Sequence, residues 1–362
     1  SSDDKTYRLD LDGLKDDIKS WFTRESLAAL VGDPTTKTDE IAHAWLAKDG
    51  KRWRPYLAAC AYMALQSDAH TEPPPPTADL KKLAIAVECF HKASLIHDDI
   101  EDGDAIRYGK PTLHMEQGIP IALNIGDYLL GLGYRLLAEL DVEPHVRIEM
   151  LRLASVSHLT LCQGQGTELS WARSRTVLTS LEILDIFRQK TAPAFEVALR
   201  LGACLGNADD ETHDVITKYS ESLGIAYQIR DDLEDYTEEG DSNDLENLRP
   251  SLILAIAHKR ATNDQDKDLI ASLWTGGVAD PDAMKELRRI LESGGVTKKA
   301  DDLLEAYKEE AIRSLRFLSN ATLKGLLRRV VGKIFNEQLI GGYCSEFEAR
   351  NAASRAPGTN PS

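Results

Sequence analysis

The chain has 362 residues, and 59 acidic against 43 basic side chains leave a formal charge of −16. Such a surface repels nucleic-acid phosphates and anionic headgroups, and no basic run is long enough to reverse this, so nucleic acid is excluded as a partner. An apolar share of 42% with 28% charged residues provides for a large buried core and excludes global disorder.

In chain order, the polar start Ser1 to Thr6 has no apolar segment behind it, and apolar runs such as Leu252 to Ala257 fall short of a membrane span. A cytoplasmic location is therefore expected. Cys60, Cys89, Cys162, Cys204 and Cys344 are scattered and never form Cys-x-x-Cys, which removes zinc and thioredoxin patterns and fits reduced thiols. Apolar residues recur at three- and four-residue spacing almost throughout while β-branched alternation is scarce, which predicts an all-α fold. Gly50-Lys51-Arg52-Trp53-Arg54-Pro55 leads into a helix with Pro55 in its first turn, and Pro73 to Pro76 reads as a short stiff spacer.

Leu83, Val87, Phe90, Ala93 or Ser94, and Ile96 then make one apolar stripe, which runs into His97-Asp98-Asp99-Ile100-Glu101-Asp102. Connections follow at 103–111, 141–144 and 206–210. A second stripe, Val215, Tyr219, Leu223, Ala226, Ile229 and Leu233, carries Asp231-Asp232-Leu233-Glu234-Asp235. Further breaks fall at 240–250, 276–281 and 294–295. No repeat has a fixed period, and the chemically interesting residues cross most of these connections. One helical domain over 1–351 is therefore expected, with 352–362 a disordered tail.

Both acidic clusters read Asp-Asp-x-x-Asp, and on a helix that spacing puts the carboxylates on one face. Like charges there repel unless a cation sits among them, and magnesium bridging to a phosphate is the natural occupant. A solvated acidic helix end is the plainer alternative for either cluster alone. A calcium loop from Asp98 fails, because Ile100 and Gly109 stand at ligand positions. Lys51 and the forked Arg54 at a helix start suit a diphosphate, with a solvated basic turn as the alternative. The segment is not a P-loop, since Trp45 replaces the first glycine and Arg52 the Ser or Thr after Lys.

The order of motifs is more specific than any one of them. Gly-Lys-Arg-x-Arg-Pro is followed by His91 before His97-Asp98-Asp99, then Arg107-Tyr108-Gly-Lys-Pro-Thr-Leu-His114, Gly126-Asp127, Gly164-Gln165, Lys190-Thr191-Ala192 and Tyr227-Gln228-x-x-Asp231-Asp232-x-x-Asp235. This order resembles the trans-isoprenyl diphosphate synthases, or polyprenyl synthetases, over roughly residues 50–252. The stretch from Glu88 to Asp102 is most similar to geranylgeranyl diphosphate synthases.

The resemblance implies an all-α bundle around a deep central cavity, usually a homodimer. It implies that Asp98, Asp99, Asp102, Asp231, Asp232 and Asp235 hold magnesium, about three ions per site, on an allylic diphosphate. Arg107, Lys190 and Gln228 would meet that diphosphate or the nascent cation. Lys51, Arg54 and His91 would bind isopentenyl diphosphate, and Thr191 and Gln165 would line the reacting centre. Phe90, Ala93 and Ser94, a turn or more before the first cluster, would set product length. The small Ala93 and Ser94 imply geranylgeranyl diphosphate or longer, a lipophilic product. His97, His114, Trp53 and Trp171 are expected to be structural.

Two departures stand out. The family expects a second Arg where this chain has Tyr108, which implies weak binding of isopentenyl diphosphate with Lys51, Arg54 and His91 doing most of the holding, or else compensation by Arg52 or Lys110; a family Lys is replaced by Asn243. Two rivals to elongation follow: a magnesium-dependent class I terpene cyclase, and a non-catalytic partner of an active synthase. The intact aspartate clusters speak against the second, and the presence of Lys51, Arg54 and His91 against the first.

Overall fold

Local chemistry sets the helix boundaries in the computed structural model, which describes residues 9–48, 50–67, 72–237, 249–277 and 279–335. The helices are α1 (Leu11–Trp21), α2 (Arg24–Val31), α3 (Lys37–Ala47), α4 (Trp53–Gln66), α5 (Ala78–Asp102), α6 (Leu113–Gln117), α7 (Ile119–Ala138), α8 (Pro144–Arg173), α9 (Ser180–Leu205), α10 (Asp210–Thr237), α11 (Leu252–Arg260), α12 (Asp264–Trp274), α13 (Pro281–Ser293), α14 (Val296–Ser314) and α15 (Ala321–Phe335). Asp10, Thr23, Thr36, Thr77, Ser251, Asn263 and Asp280 each accept a first-turn N–H, filling donors that a helix leaves open at its start. At α5 the stop is Gly103, left-handed at φ 69°, whose N–H returns to the Asp99 and Ile100 carbonyls.

The connection after α5 holds the only strands among the described residues, β1 (Ile106–Arg107) and β2 (Lys110–Pro111), paired antiparallel with Arg107 opposite Lys110. Tyr108 and Gly109 between them have φ of 54° and 72°. Two successive left-handed residues are what a two-residue type I′ turn requires, and Gly109 adopts that geometry at no steric cost. Tyr108 adopts it against its preference.

Contacts divide the chain into two units, one of 1–154, 197–213 and 318–362, the other of 155–196 and 214–317. In the first, α5 packs along α7 and α4. A side chain at Gly133 would stand 2.6 Å from the Phe90 ring, so the absence of a Cβ is what admits that ring. In the second, Gly164 brings α8 within 3.0 Å of the backbone at Gln189 by the same measure. Trp53 and Trp171 are buried, as expected of packing residues, and Trp171 meets Trp274 with ring centres 6.4 Å apart. Asn243, Cys344 and the expected tail at 352–362 lie outside the described residues.

Candidate active site

In the first unit, the end of α5 and the start of α4 carry the chemistry. Lys51 is exposed just before α4; Arg54 and His91 are half-buried, and Arg54 Nη1 lies 3.2 Å from His91 Nε2. Burial, and then the positive charges of Arg54, Lys92, Arg107 and Arg52, hold the His91 imidazole well below its ordinary pKa. A guanidinium only donates, so the neutral ring accepts at Nε2.

Asp99 is buried and receives Arg107 in a fork: Nε reaches its two oxygens at 3.1 and 2.9 Å, and Nη2 bonds Oδ1. Burial works against the Arg107 charge but is outweighed by Asp99 and Tyr108, so its pKa rises further. Arg107 Nη1 is a buried donor with no hydrogen-bond partner among the described residues. Such a donor is costly unless a ligand oxygen meets it. Asp98 is half-buried and Asp102 exposed.

In the second unit, Lys190 Nζ is held 2.8 Å from Glu168 Oε2, and Gln228 Nε2 donates to Thr191 Oγ1 at 2.5 Å. Gln165 is half-buried on α8. Asp231 is buried with Arg230 Nη2 at 4.0 Å, and Asp235 is exposed. Asp232 accepts from Ser251 Oγ at 2.8 Å and from the Ile253 N–H at 3.1 Å, which ties it to the first turn of α11. Burial raises its carboxyl to about 7 even though both bonds favour the ionised form.

The six aspartates differ in their surroundings. Asp99 and Asp232 accept from internal donors, and Asp98 with Asp102, like Asp231 with Asp235, stands four residues apart on one helix face. No three His, Cys, Asp or Glu among the described residues are grouped as a metal site. The donors are all hard oxygens, and magnesium takes only one or two carboxylates and completes its shell with phosphate oxygens and water, so the set fits it.

One expectation, compensation by Arg52, meets a structural obstacle. Arg52 cannot replace the cation missing at Tyr108: it is buried, with Nη1 3.4 Å from Glu88, Nη2 on the Lys48 carbonyl at 2.9 Å and its guanidinium 4.2 Å from the centre of the Phe22 ring. Tyr108 turns its ring toward Arg107, 5.8 Å away. Ala93 is buried; Phe90 and Ser94, half-buried and four residues apart, share the face of Asp98. His97 is seated against Gly126 and 3.5 Å from Asp127, and His114 lies 3.2 Å from Thr112 Oγ1. Glu88 and Ser251 were not recognisable as partners from sequence.

The described residues are almost entirely helical, with carboxylate clusters at the ends of α5 and α10. The sequence model of the polyprenyl synthetase family matches residues 35–291, through both units, and the chain belongs to that family. It is 27% identical over 334 residues to a geranylgeranyl diphosphate synthase of Methanosarcina mazei, covering 90% of this chain and 98% of the relative. The crystal structure of geranylgeranyl pyrophosphate synthetase from Pyrococcus horikoshii matches with a TM-score of 0.74 at 24% identity, covering 89% of this chain and 98% of that one. Geranylgeranyl pyrophosphate synthase from Corynebacterium glutamicum, solved with isoprenyl diphosphate and magnesium, matches with a TM-score of 0.74 at 20% identity, covering 91% and 100%. Among the described residues no helix is long and apolar enough to cross a membrane.

Proposed function

We propose that this chain is a trans-prenyltransferase that condenses an allylic prenyl diphosphate with isopentenyl diphosphate, giving geranylgeranyl diphosphate as the main product. The observation that carries this reading is the Arg54–His91 pair beside Lys51. A cyclase, which ionises one allylic diphosphate, has no second diphosphate for them to hold.

Arg107, positioned by Asp99, offers Nη1 to the allylic diphosphate. Lys190, held by Glu168, adds a fixed positive charge. Both stabilise the leaving group as the C–O bond breaks and negative charge builds on oxygen. Asp98 and Asp102 in the first unit and Asp231 and Asp235 in the second would hold magnesium, which when bound supplies Lewis-acid neutralisation of the diphosphate. Lys51 and Arg54 grip the second diphosphate, so that its double bond can attack the allylic carbon. The Thr191–Gln228 pair presents dipoles to the cation. The proton lost after the new C–C bond forms goes to the departing diphosphate. His91 accepts from Arg54 and serves as a positioning residue, not a base.

Exposed Ile119, Ile121 and Leu123 on α7, and Ile148, Val156 and Leu159 on α8, support a homodimer, because apolar side chains in such density favour a second copy. Free Cys60, Cys89, Cys162 and Cys204 suit a reducing cytoplasm. We place 1–351 in one functional domain. The test is incubation of one allylic diphosphate and magnesium with and without isopentenyl diphosphate. A longer linear diphosphate only in its presence supports elongation, and a cyclic hydrocarbon in its absence rejects it.

A further inference from the structure

Five cations gather in the first unit, with Asp12 the acidic neighbour acting on Lys15. Lys15 and Lys19 lie on α1, Lys51 just before α4, and Arg329 and Lys333 on α15, and both α1 and α15 pack on α4. Lys15 Nζ sits 4.4 Å from the centre of the Trp53 ring and 5.9 Å from that of Tyr56. Its pKa is lowered first by burial and then by Lys333, with Lys19 and Lys51 adding and Asp12 opposing. Arg329 acts on the same Tyr56 and on Cys60.

None of the five makes a hydrogen bond or ion pair with a described residue. The indole N–H of Trp53, buried beside Lys15, has no acceptor among them either. Among the described residues Asp12 is the acidic group that acts on Lys15, one negative charge among five positive ones. Like charges so gathered repel unless an anion neutralises them. Lys51 is already the residue placed on the isopentenyl diphosphate, and Trp53 stands between it and Arg54 in sequence.

We propose that Lys15, with Lys333, extends the site for the diphosphate group of isopentenyl diphosphate beyond Lys51, supplying the positive charge that Tyr108 cannot. This rests on the elongation reading. It explains how a chain lacking the second Arg retains a second substrate, and it gives the amino-terminal helix a role in specificity.

Kinetics of the full chain at saturating allylic diphosphate test it. Lys15→Met keeps the aliphatic stem over Trp53 and removes the charge. The KM for isopentenyl diphosphate should rise about tenfold or more, the loss expected of one charge-assisted contact. The KM for the allylic diphosphate should not move, and Lys15→Arg should restore most of the loss. Inorganic diphosphate, which shares the ligand chemistry, is the second probe: its competition against isopentenyl diphosphate should weaken in parallel. Lys333→Met should act in the same direction and serves if Lys15→Met fails to fold. A KM changed by less than about twofold in a folded variant overturns the proposal. So does weakened inhibition by inorganic diphosphate with an unchanged KM, which would make the cluster a trap for the released product. A wild type that never consumes isopentenyl diphosphate removes the elongation reading itself, and the proposal with it.

Discussion

Arg107 and Asp99 sit eight residues apart and close a fork that no point charge can imitate. A lysine in place of Arg107 would keep the charge and lose both the two-pronged geometry and the donor left open at Nη1. Arg107→Lys should lower kcat/KM for the allylic diphosphate about tenfold to a hundredfold with the helical circular dichroism unchanged. The buried Arg52–Glu88 pair behaves differently, because it is sealed from solvent and meets no substrate. Arg52→Met should cost about 3–5 kcal/mol in urea unfolding by stranding the Glu88 charge, while Arg52→Met with Glu88→Leu should recover most of that loss. Equal losses in the single and double variants would contradict the pair. The sequence made Asp98, Asp102, Lys51 and Arg54 legible because helical spacing or a helix start alone places them. It could not show that Arg52 faces Glu88, 36 positions away, or that Lys15 reaches Trp53, since packing decides those contacts.

At the scale of elements, α3 shows how one carboxylate fixes a helix start and its neighbour together. Asp39 accepts from the Thr35 and Thr36 N–H groups at 3.0 and 2.9 Å, and from Tyr128 of α7 at 2.9 Å. The Thr35 bond first, then Tyr128 and Thr36, hold its carboxyl well below the usual range. A lowered folded-state value means that the native state favours the ionised form, so its contribution is present above the unfolded pKa of about 4 and fades as pH falls through it. Asp39→Asn should therefore melt at a lower temperature than wild type at pH 7, and the gap should close at acid pH. A gap independent of pH would contradict this. On α5, Phe90 lies edge-on to Tyr134 with ring centres 5.0 Å apart and shares a face with Ser94 and Asp98. Removing the ring in Phe90→Ala should shift products toward longer chains, read by chromatography of the dephosphorylated alcohols. The apolar stripes of α5 and α10 announced these helices, and their carboxylates, at three- and four-residue spacing. The hairpin at 106–111 was hidden, because its turn depends on Tyr108 adopting a left-handed backbone that tyrosine disfavours.

Across the whole molecule, an acidic chain sets a few of its cations apart: Arg107 and Lys190 on carboxylates, Arg54 on His91, and Lys15, Lys51 and Lys333 without ion partners among the described residues. Diphosphate substrates suit that distribution, whereas a polyanion would meet repulsion over the rest of the surface. Family membership and fold class were legible because ordered motifs and helical periodicity are local properties of the chain. The hydrogen bonds of Asp232 were not, since Ser251 and Ile253 reach it only once α11 has packed. The central claim is that each turnover joins a second, isopentenyl, substrate to the allylic one. Measuring inorganic diphosphate released against isopentenyl diphosphate consumed tests it most directly. The account predicts that the two amounts remain equal throughout the time course, whereas diphosphate released with isopentenyl diphosphate untouched would contradict it.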